Sequence, residues 1–159
     1  MTHTSFGDPQ HERLRDILSQ HADLEGPLLP ILHAVQTAFE HIPDDAIAII
    51  ADHLNIGRAE VHGVVSFYHD FRQRPAGRHV IKICRAEACQ AVGVNVLAQT
   101  TLDKLGLDWH GTTENGALTI EPVFCLGLCA CAPAAMVDGQ VVGRLDQDKL
   151  DQIVAETGA

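Results

Sequence analysis

The sequence has no hydrophobic run that approaches the length of a membrane span, and residues 1–16 hold no apolar segment of the kind that a secretory signal needs. We therefore expect a cytoplasmic protein without membrane insertion. Basic residues are also scarce, with 11 Lys and Arg against 21 Asp and Glu and a net charge of −10. Because binding to a nucleic-acid backbone depends on counterion release by basic side chains, this balance argues against a nucleic-acid partner.

Nucleotide-binding motifs are missing as well. Neither a G-x-G-x-x-G run nor a P-loop occurs in the sequence, so we expect NAD or flavin to be bound by a partner. The five cysteines form no C-x-x-C pair, which argues against a thioredoxin-type dithiol. Structural disulfides are rare in the reducing cytoplasm, so clustered cysteines there indicate a metal site or redox catalysis.

Residues 1–74 are predicted to form a small helical bundle. Apolar side chains recur at helical spacing in four segments that begin near residues 8, 28, 44 and 58. The inward-facing positions are predicted to be Leu14, Ile17, Leu18, Leu28, Leu32, Val35, Phe39, Ile47, Ile50, Leu54, Val61, Val64, Val65 and Tyr68. Pro75 and Gly77 then interrupt the chain, and the pattern changes.

Residues 78–159 are predicted to form an α/β domain with a mixed β-sheet. The elements follow in the order strand, helix, strand, hairpin and helix, over residues 79–84, 88–105, 117–125, 136–145 and 146–156. The hairpin is expected to turn on Asp138-Gly139. The whole chain is therefore predicted to belong to the α/β class, with a helical bundle before the sheet domain.

Both cysteine pairs fall at the ends of predicted strands. Cys84 closes the first strand and Cys89 follows it, while Cys125 closes the second strand and Cys129 follows. Four thiolates from two such loops suit a [2Fe–2S] cluster held by Cys₄ ligation. The spacings are not those of plant-type, bacterial or Rieske iron–sulfur proteins. Structural zinc, which prefers C-x₂-C knuckles, and inert buried cysteines are the alternatives.

Several runs of the sequence resemble one protein family: CRAEAC, CLGLCACAPAAMVDG, GVVSFYHDF and PAGRHVIKIC, with LLPILHAVQTAF and IPDDAIAIIADHL in the helical half. They are similar to the thioredoxin-like [2Fe–2S] subunit of NADH dehydrogenase complexes, and within it to the gamma subunit of soluble NAD-dependent formate dehydrogenases. The resemblance implies a thioredoxin-like fold for residues 78–159. It also implies one [2Fe–2S] cluster, whose ligands fall on Cys84, Cys89, Cys125 and Cys129.

The resemblance further implies an electron-transfer subunit that is not a complete enzyme. Its partners would be a flavoprotein subunit that binds FMN and NADH and, in a formate dehydrogenase, a molybdenum-containing catalytic subunit. Residues 1–74 would dock on the flavoprotein subunit. Subunits of NAD-reducing hydrogenases and of respiratory NADH dehydrogenases share the same pattern, so those complexes remain alternatives.

Two functions of other classes remain open. One is a stand-alone [2Fe–2S] ferredoxin. The other is an iron–sulfur redox sensor that binds DNA, because IADHLNIGRAEVHGVVSF has the outline of a helix-turn-helix. The second helix of that run has Arg58 as its main basic residue, which equips it poorly for phosphate contact.

Three further residue types near these motifs need an interpretation. Cys131 lies beyond the C-L-G-x-C run, and we predict a small packed residue there and not a ligand. Arg85 directly follows Cys84 and would either raise the potential of the cluster, help dock a partner or lie solvated on the surface. His62 and His69 are predicted surface or interface residues, because no third ligand accompanies them at usable spacing.

Overall fold

The computed structural model describes residues 8–159, so residues 1–7 of the predicted bundle lie outside the described part of the chain. Over residues 8–159 the chain forms seven α-helices and a four-stranded mixed sheet. The chain divides into two compact units, with the boundary between Pro75 and Ala76. The prediction of an α/β protein with helices first and a mixed sheet second is confirmed. Nowhere in residues 8–159 is a helix long and apolar enough to cross a membrane.

The first unit contains four helices: α1 (Asp8–Gln20), α2 (Leu28–Phe39), α3 (Asp44–Leu54) and α4 (Arg58–Phe67). Each has an apolar stripe, and the stripes meet in one core because that removes them from water. The buried side chains of this core include Leu14, Ile17, Leu18, Ile31, Leu32, Val35, Ile47, Ile50, Val61 and Val65. Nine of these ten positions were predicted from spacing alone, and they are confirmed.

Tyr68 was predicted to face inward from the fourth helix, and this prediction is wrong. α4 ends at Phe67, and Tyr68 has extended backbone with φ −86° and ψ 110°, so it leaves the helical face and is 43% exposed. Phe71 is buried against the core instead, with its ring centroid 5.0 Å from that of His33. Phe71 therefore takes the inward position that the helical period assigned to Tyr68.

The second unit contains a sheet of four strands, β1 (His79–Cys84), β2 (Leu118–Val123), β3 (Ala134–Val137) and β4 (Gln140–Gly143), in the order β2-β1-β3-β4. β1 pairs with β2 in parallel, whereas the β1–β3 and β3–β4 pairs are antiparallel. Ile81 and Ile83 of the central strand β1 and Leu118 and Ile120 of the edge strand β2 are fully buried. The elements in chain order are β1 (His79–Cys84), α5 (Glu87–Ala91), α6 (Val94–Leu105), β2 (Leu118–Val123), a 3₁₀ turn (Cys129–Cys131), β3 (Ala134–Val137), β4 (Gln140–Gly143) and α7 (Gln147–Glu156).

Two of the differences from the predicted boundaries lie beside the cysteines. The single helix predicted over residues 88–105 is split into α5 and α6, because Gly93 adopts a φ of 90° that a continuing helix does not allow. The second strand ends at Val123, so Cys125 does not close a strand but lies in the following loop with φ 84°. Both differences shape the surroundings of the cysteines.

The hairpin turns on Asp138-Gly139 as predicted, with φ values of 47° and 84°. The Asp138 carboxylate accepts a hydrogen bond from the backbone N–H of Val80 at 2.8 Å and lies 2.7 Å from Nδ1 of His79. Partial burial by itself raises the pKa of Asp138, but the bonds from His79 and Val80 outweigh it and hold the net pKa below its ordinary value. The turn is thus fastened to the first residues of β1.

Asp138→Asn is expected to lower the free energy of unfolding at pH 7, because it removes the negative charge that His79 and the Val80 N–H contact. The loss should be only about 0.5–1 kcal/mol, because solvent screens the half-exposed carboxylate. Asn tolerates a positive φ, so the substitution removes mainly the charge. A depressed carboxyl pKa stabilises the folded state above the unfolded pKa, and this contribution is lost as pH falls through the folded value. The difference from the parent chain should therefore shrink below about pH 4. Urea unfolding of the two cluster-free chains at pH 7 and below about pH 4 measures this difference in stability. An equal difference at both pH values would contradict a stabilising role for the Asp138 charge.

Candidate metal centre

The parallel pairing of β1 with β2 brings the two cysteine loops to one edge of the sheet. Cys84 is the last residue of β1 and lies in register with Val123, the last residue of β2. Cys89 follows on α5, while Cys125 and Cys129 lie on the segment between β2 and β3. Because parallel strands end at the same edge, the loops that follow them meet there. The convergence expected from the strand ends is what the structure shows.

Cys84 is held by both loops. Burial by itself raises the pKa of Cys84. Hydrogen bonds from the backbone N–H groups of Ala86, Cys125 and Leu126 and the neighbouring thiol of Cys89 each lower this pKa. Together they outweigh burial, so the net pKa of Cys84 is lowered. Amide donors of this kind stabilise the charge of a metal-bound thiolate.

Burial and neighbouring thiols raise the pKa values of Cys89 and Cys129. Burial raises the pKa of Cys89, and its contact with Cys84 raises it further, against a backbone hydrogen bond from Ala134. The contact with Cys125 raises the pKa of Cys129. Neighbouring thiolates repel, so the protonated forms of Cys89 and Cys129 are favoured in the cluster-free chain. Positively charged metal would remove that preference.

The loop that carries the second pair has an uncommon backbone. Cys125 has φ 84° and Gly127 has φ 76°, and the Gly127 N–H lies 3.4 Å from the Cys125 sulfur. A positive φ at a residue other than glycine is a feature that clusters at functional sites. The small or apolar residues between the cysteines leave backbone N–H groups free to approach sulfur, and that of Gly127 does so. The N–H of Ala134 was missed, because nothing in the sequence indicates that the start of β3 reaches Cys89.

Cys131 lies at the end of the 3₁₀ turn and is half-buried. Its neighbours lie at the end of β4 and just after it: a Cβ built on Gly143 would come within 2.8 Å of the Cys131 Cβ, and the Cys131 carbonyl accepts a hydrogen bond from the Arg144 N–H at 2.6 Å. This close packing against Gly143 suits the small residue that was predicted at this position. The sequence offered no signal for Gly143 itself.

The chemistry of the donor set fits a [2Fe–2S] cluster. All five cysteines are free thiols. Over residues 8–159, no group of three or more His, Cys, Asp or Glu is arranged to hold a metal ion. Four of the thiols form two pairs: Cys84 neighbours Cys89, and the sulfurs of Cys125 and Cys129 lie 3.9 Å apart. A [2Fe–2S] cluster takes two cysteines on each iron, so two pairs of thiols provide its ligand set, and such a cluster supplies one-electron transfer when bound.

Arg85 is fixed beside this edge. Its guanidinium carbon lies 5.1 Å from the centroid of the Trp109 ring, and its Nε lies 3.4 Å from Oδ1 of Asn95. Stacking on an aromatic face restrains a guanidinium and keeps its charge in place. The side chain is therefore held by the domain and is not freely solvated. His62 and His69 are both exposed, as predicted for surface residues.

Comparison with known protein families also indicates a [2Fe–2S] protein. The family model of thioredoxin-like [2Fe–2S] ferredoxins matches residues 14–158. The chain therefore belongs to the thioredoxin-like [2Fe–2S] ferredoxin family, and the resemblance seen in the cysteine runs is confirmed at that level.

This chain matches different shares of the individual relatives. The NADP-reducing hydrogenase subunit HndA of Solidesulfovibrio fructosivorans is 30% identical over 154 residues, which are 97% of this chain and 90% of that subunit. An NADH-quinone oxidoreductase subunit of Mycobacterium bovis is 31% identical over 140 residues, 88% of this chain and 56% of that one. A solved NAD⁺-reducing [NiFe]-hydrogenase in the H₂-reduced state gives a TM-score of 0.65 at 25% identity, over 80% of this chain and 22% of that one. The chain thus spans about half of the mycobacterial subunit and less than a quarter of the hydrogenase chain.

Proposed function

We propose that this chain is an electron-transfer subunit that carries one [2Fe–2S] cluster on Cys84, Cys89, Cys125 and Cys129 in an NAD-linked dehydrogenase complex. The observation that carries the proposal is the pairing of four free thiols at the edge where two parallel strands end. Membership of the [2Fe–2S] family supports the cofactor. The names of the relatives, hydrogenase and NADH-quinone oxidoreductase subunits, support the kind of complex.

The two thiol pairs suggest how electrons reach the site. Cys84 and Cys89 are buried at 3% and 2% exposure, whereas Cys125 and Cys129 are exposed. A redox partner can therefore approach the side of the site formed by the 125–129 loop. The sequence has no cradle for nucleotide phosphates, so NADH and FMN are assigned to a flavoprotein partner that exchanges electrons with this side.

The finer assignment is an NAD-dependent formate dehydrogenase of the cytoplasm, with a molybdenum-containing catalytic subunit as a further partner. It rests on the resemblance of the CRAEAC and CLGLCACAP runs to the gamma subunit. Purification of the native complex, with metal analysis and identification of the co-purifying chains, tests it. Molybdenum and formate oxidation support it, whereas nickel or quinone reduction would assign the chain to one of the alternative complexes.

The helical unit is the proposed docking region for the flavoprotein subunit. At the end of α4 Phe67 is 73% exposed and Tyr68 is 43% exposed, with their ring centroids 5.2 Å apart. Exposed aromatic residues that stand together are typical of protein interfaces. These two side chains are therefore the proposed centre of the docking surface.

The isolated chain is expected to oxidise neither NADH nor formate. Reduction by dithionite should still give a rhombic paramagnetic signal of the [2Fe–2S] type, because the cysteines hold the cluster without help from a partner. NADH should reduce the cluster only after the flavoprotein subunit is added. Zinc without acid-labile sulfide in the purified chain would contradict the cofactor assignment. A cluster that no NADH-binding partner reduces would instead favour the stand-alone ferredoxin.

Deletion of residues 1–72 is expected to weaken binding to the flavoprotein while the cluster is retained, since the two units have separate cores. Phe67→Ser should reproduce much of that loss in the full-length chain. Val96→Ser is the matched control, because Val96 is 74% exposed on α6 of the other unit. Equal binding of the truncated and full-length chains in a titration would show that the helices do not dock.

A further inference from the structure

The two thiol pairs differ in what can reach them. The Cys125 and Cys129 sulfurs lie 3.9 Å apart on an exposed loop, and a disulfide requires them to approach to about 2.05 Å. Both cysteines belong to one loop, so modest side-chain rotation can supply this approach. The other pair, Cys84 and Cys89, is enclosed in the core of the domain.

We propose that Cys125 and Cys129 form a reversible disulfide in the cluster-free chain, and that this bond blocks loading of the cluster. The proposal rests on the function proposed above, because it treats both cysteines as ligands. A disulfide would withdraw two of the four thiolates, and the remaining buried pair serves only one iron. Reduction by a thiol would restore the site.

The chemistry needs an oxidant, and hydrogen peroxide is one that balances the step. One thiol attacks a peroxide oxygen, which gives a sulfenic acid and releases water. The second thiol then attacks the sulfenic sulfur, forms the S–S bond and releases a second water. The two thiols lose two electrons and two protons in total. Hydrogen peroxide accepts them and is reduced to two molecules of water.

The loop geometry favours this pair over the fifth cysteine. Cys125 and Gly127 both have positive φ, and the Gly127 N–H points at the Cys125 sulfur, so the backbone turns this thiol back toward Cys129. The Cβ of Cys131 instead packs close to Gly143, and the Cys131 carbonyl accepts a hydrogen bond from the backbone N–H of Arg144. Closure with Cys131 would have to pull that residue away from β4.

The test uses the full-length cluster-free chain, prepared anaerobically and treated with one equivalent of hydrogen peroxide. Titratable thiols should fall from the five cysteines of the sequence to three, and peptide mapping should find one disulfide between Cys125 and Cys129. Cluster loading with iron and sulfide should then fall about ten-fold or more and should return after treatment with dithiothreitol. A disulfide through Cys84, Cys89 or Cys131, or no loss of thiols, overturns the proposal.

Two variants separate this proposal from the ligand assignment on which it rests. After peroxide treatment, the Cys131→Ser variant should fall from four titratable thiols to two. Its cluster loading should fall as that of the parent chain does. Cys129→Ser should form no disulfide within the 125–129 loop. If the parent disulfide forms but loading is unaffected, the ligand assignment fails. If Cys129→Ser prevents loading but the parent chain forms no disulfide, only the present proposal fails.

Discussion

Cys129→Ser is expected to lose about ten-fold or more of the bound [2Fe–2S] cluster, whereas Cys131→Ser is expected to keep it. The structure distinguishes the two thiols by their neighbours. The Cys129 sulfur lies 3.9 Å from that of Cys125, and Cys129 also contributes to the raised pKa of Cys89. Cys131 is packed instead against Gly143 of β4.

Iron and acid-labile sulfide per chain, together with the visible absorption of the purified variants, measure this difference. Both variants remove one thiol from the same short turn, so each is the control for the other. Circular dichroism checks that the fold persists in both. The reverse ranking, with the cluster lost from Cys131→Ser and kept in Cys129→Ser, would move the fourth ligand to Cys131.

The sequence predicted those parts of the structure that depend on local pattern. The apolar spacing of residues such as Leu32, Val35 and Ile50 located α2 and α3, because one buried face at a period of 3.6 residues is itself the cause of the packing. The alternating run HVIKIC located β1, with Ile81 and Ile83 buried as the strand period requires. Placing cysteines after two such strands was enough to predict that their loops meet.

Features set by contacts between distant residues could not be predicted in this way. The Ala134 N–H reaches Cys89 only because β3 lies beside β1 in the sheet, and no spacing within either segment encodes that neighbour. Tyr68 has the right period to face inward, but the helix ends before it. The break at Gly93 depends on a backbone conformation that glycine permits but does not require.

Gly143 links the sheet to the proposed metal centre through one close approach. It pairs with Ala134 at the end of β4, and a Cβ at this position would lie 2.8 Å from both the Cβ and the carbonyl oxygen of Cys131. Neither atom can move freely, because that carbonyl accepts the Arg144 N–H and Cys131 follows Cys129 in the same 3₁₀ turn. An added methyl group must therefore shift the turn.

Gly143→Ala is expected to destabilise the protein by about 1–3 kcal/mol, the usual cost of overpacking a closely packed site. It should also lower cluster content several-fold, because displacement of the turn moves the Cys129 thiol relative to Cys125. Gly63→Ala is the matched control: Gly63 lies within α4, a Cβ there meets nothing within 4 Å, and alanine should leave cluster content unchanged and raise stability by up to about 1 kcal/mol. Denaturant unfolding and iron content measure both effects. If Gly143→Ala keeps full stability and full cluster content, the contact with Cys131 does not position the ligand turn.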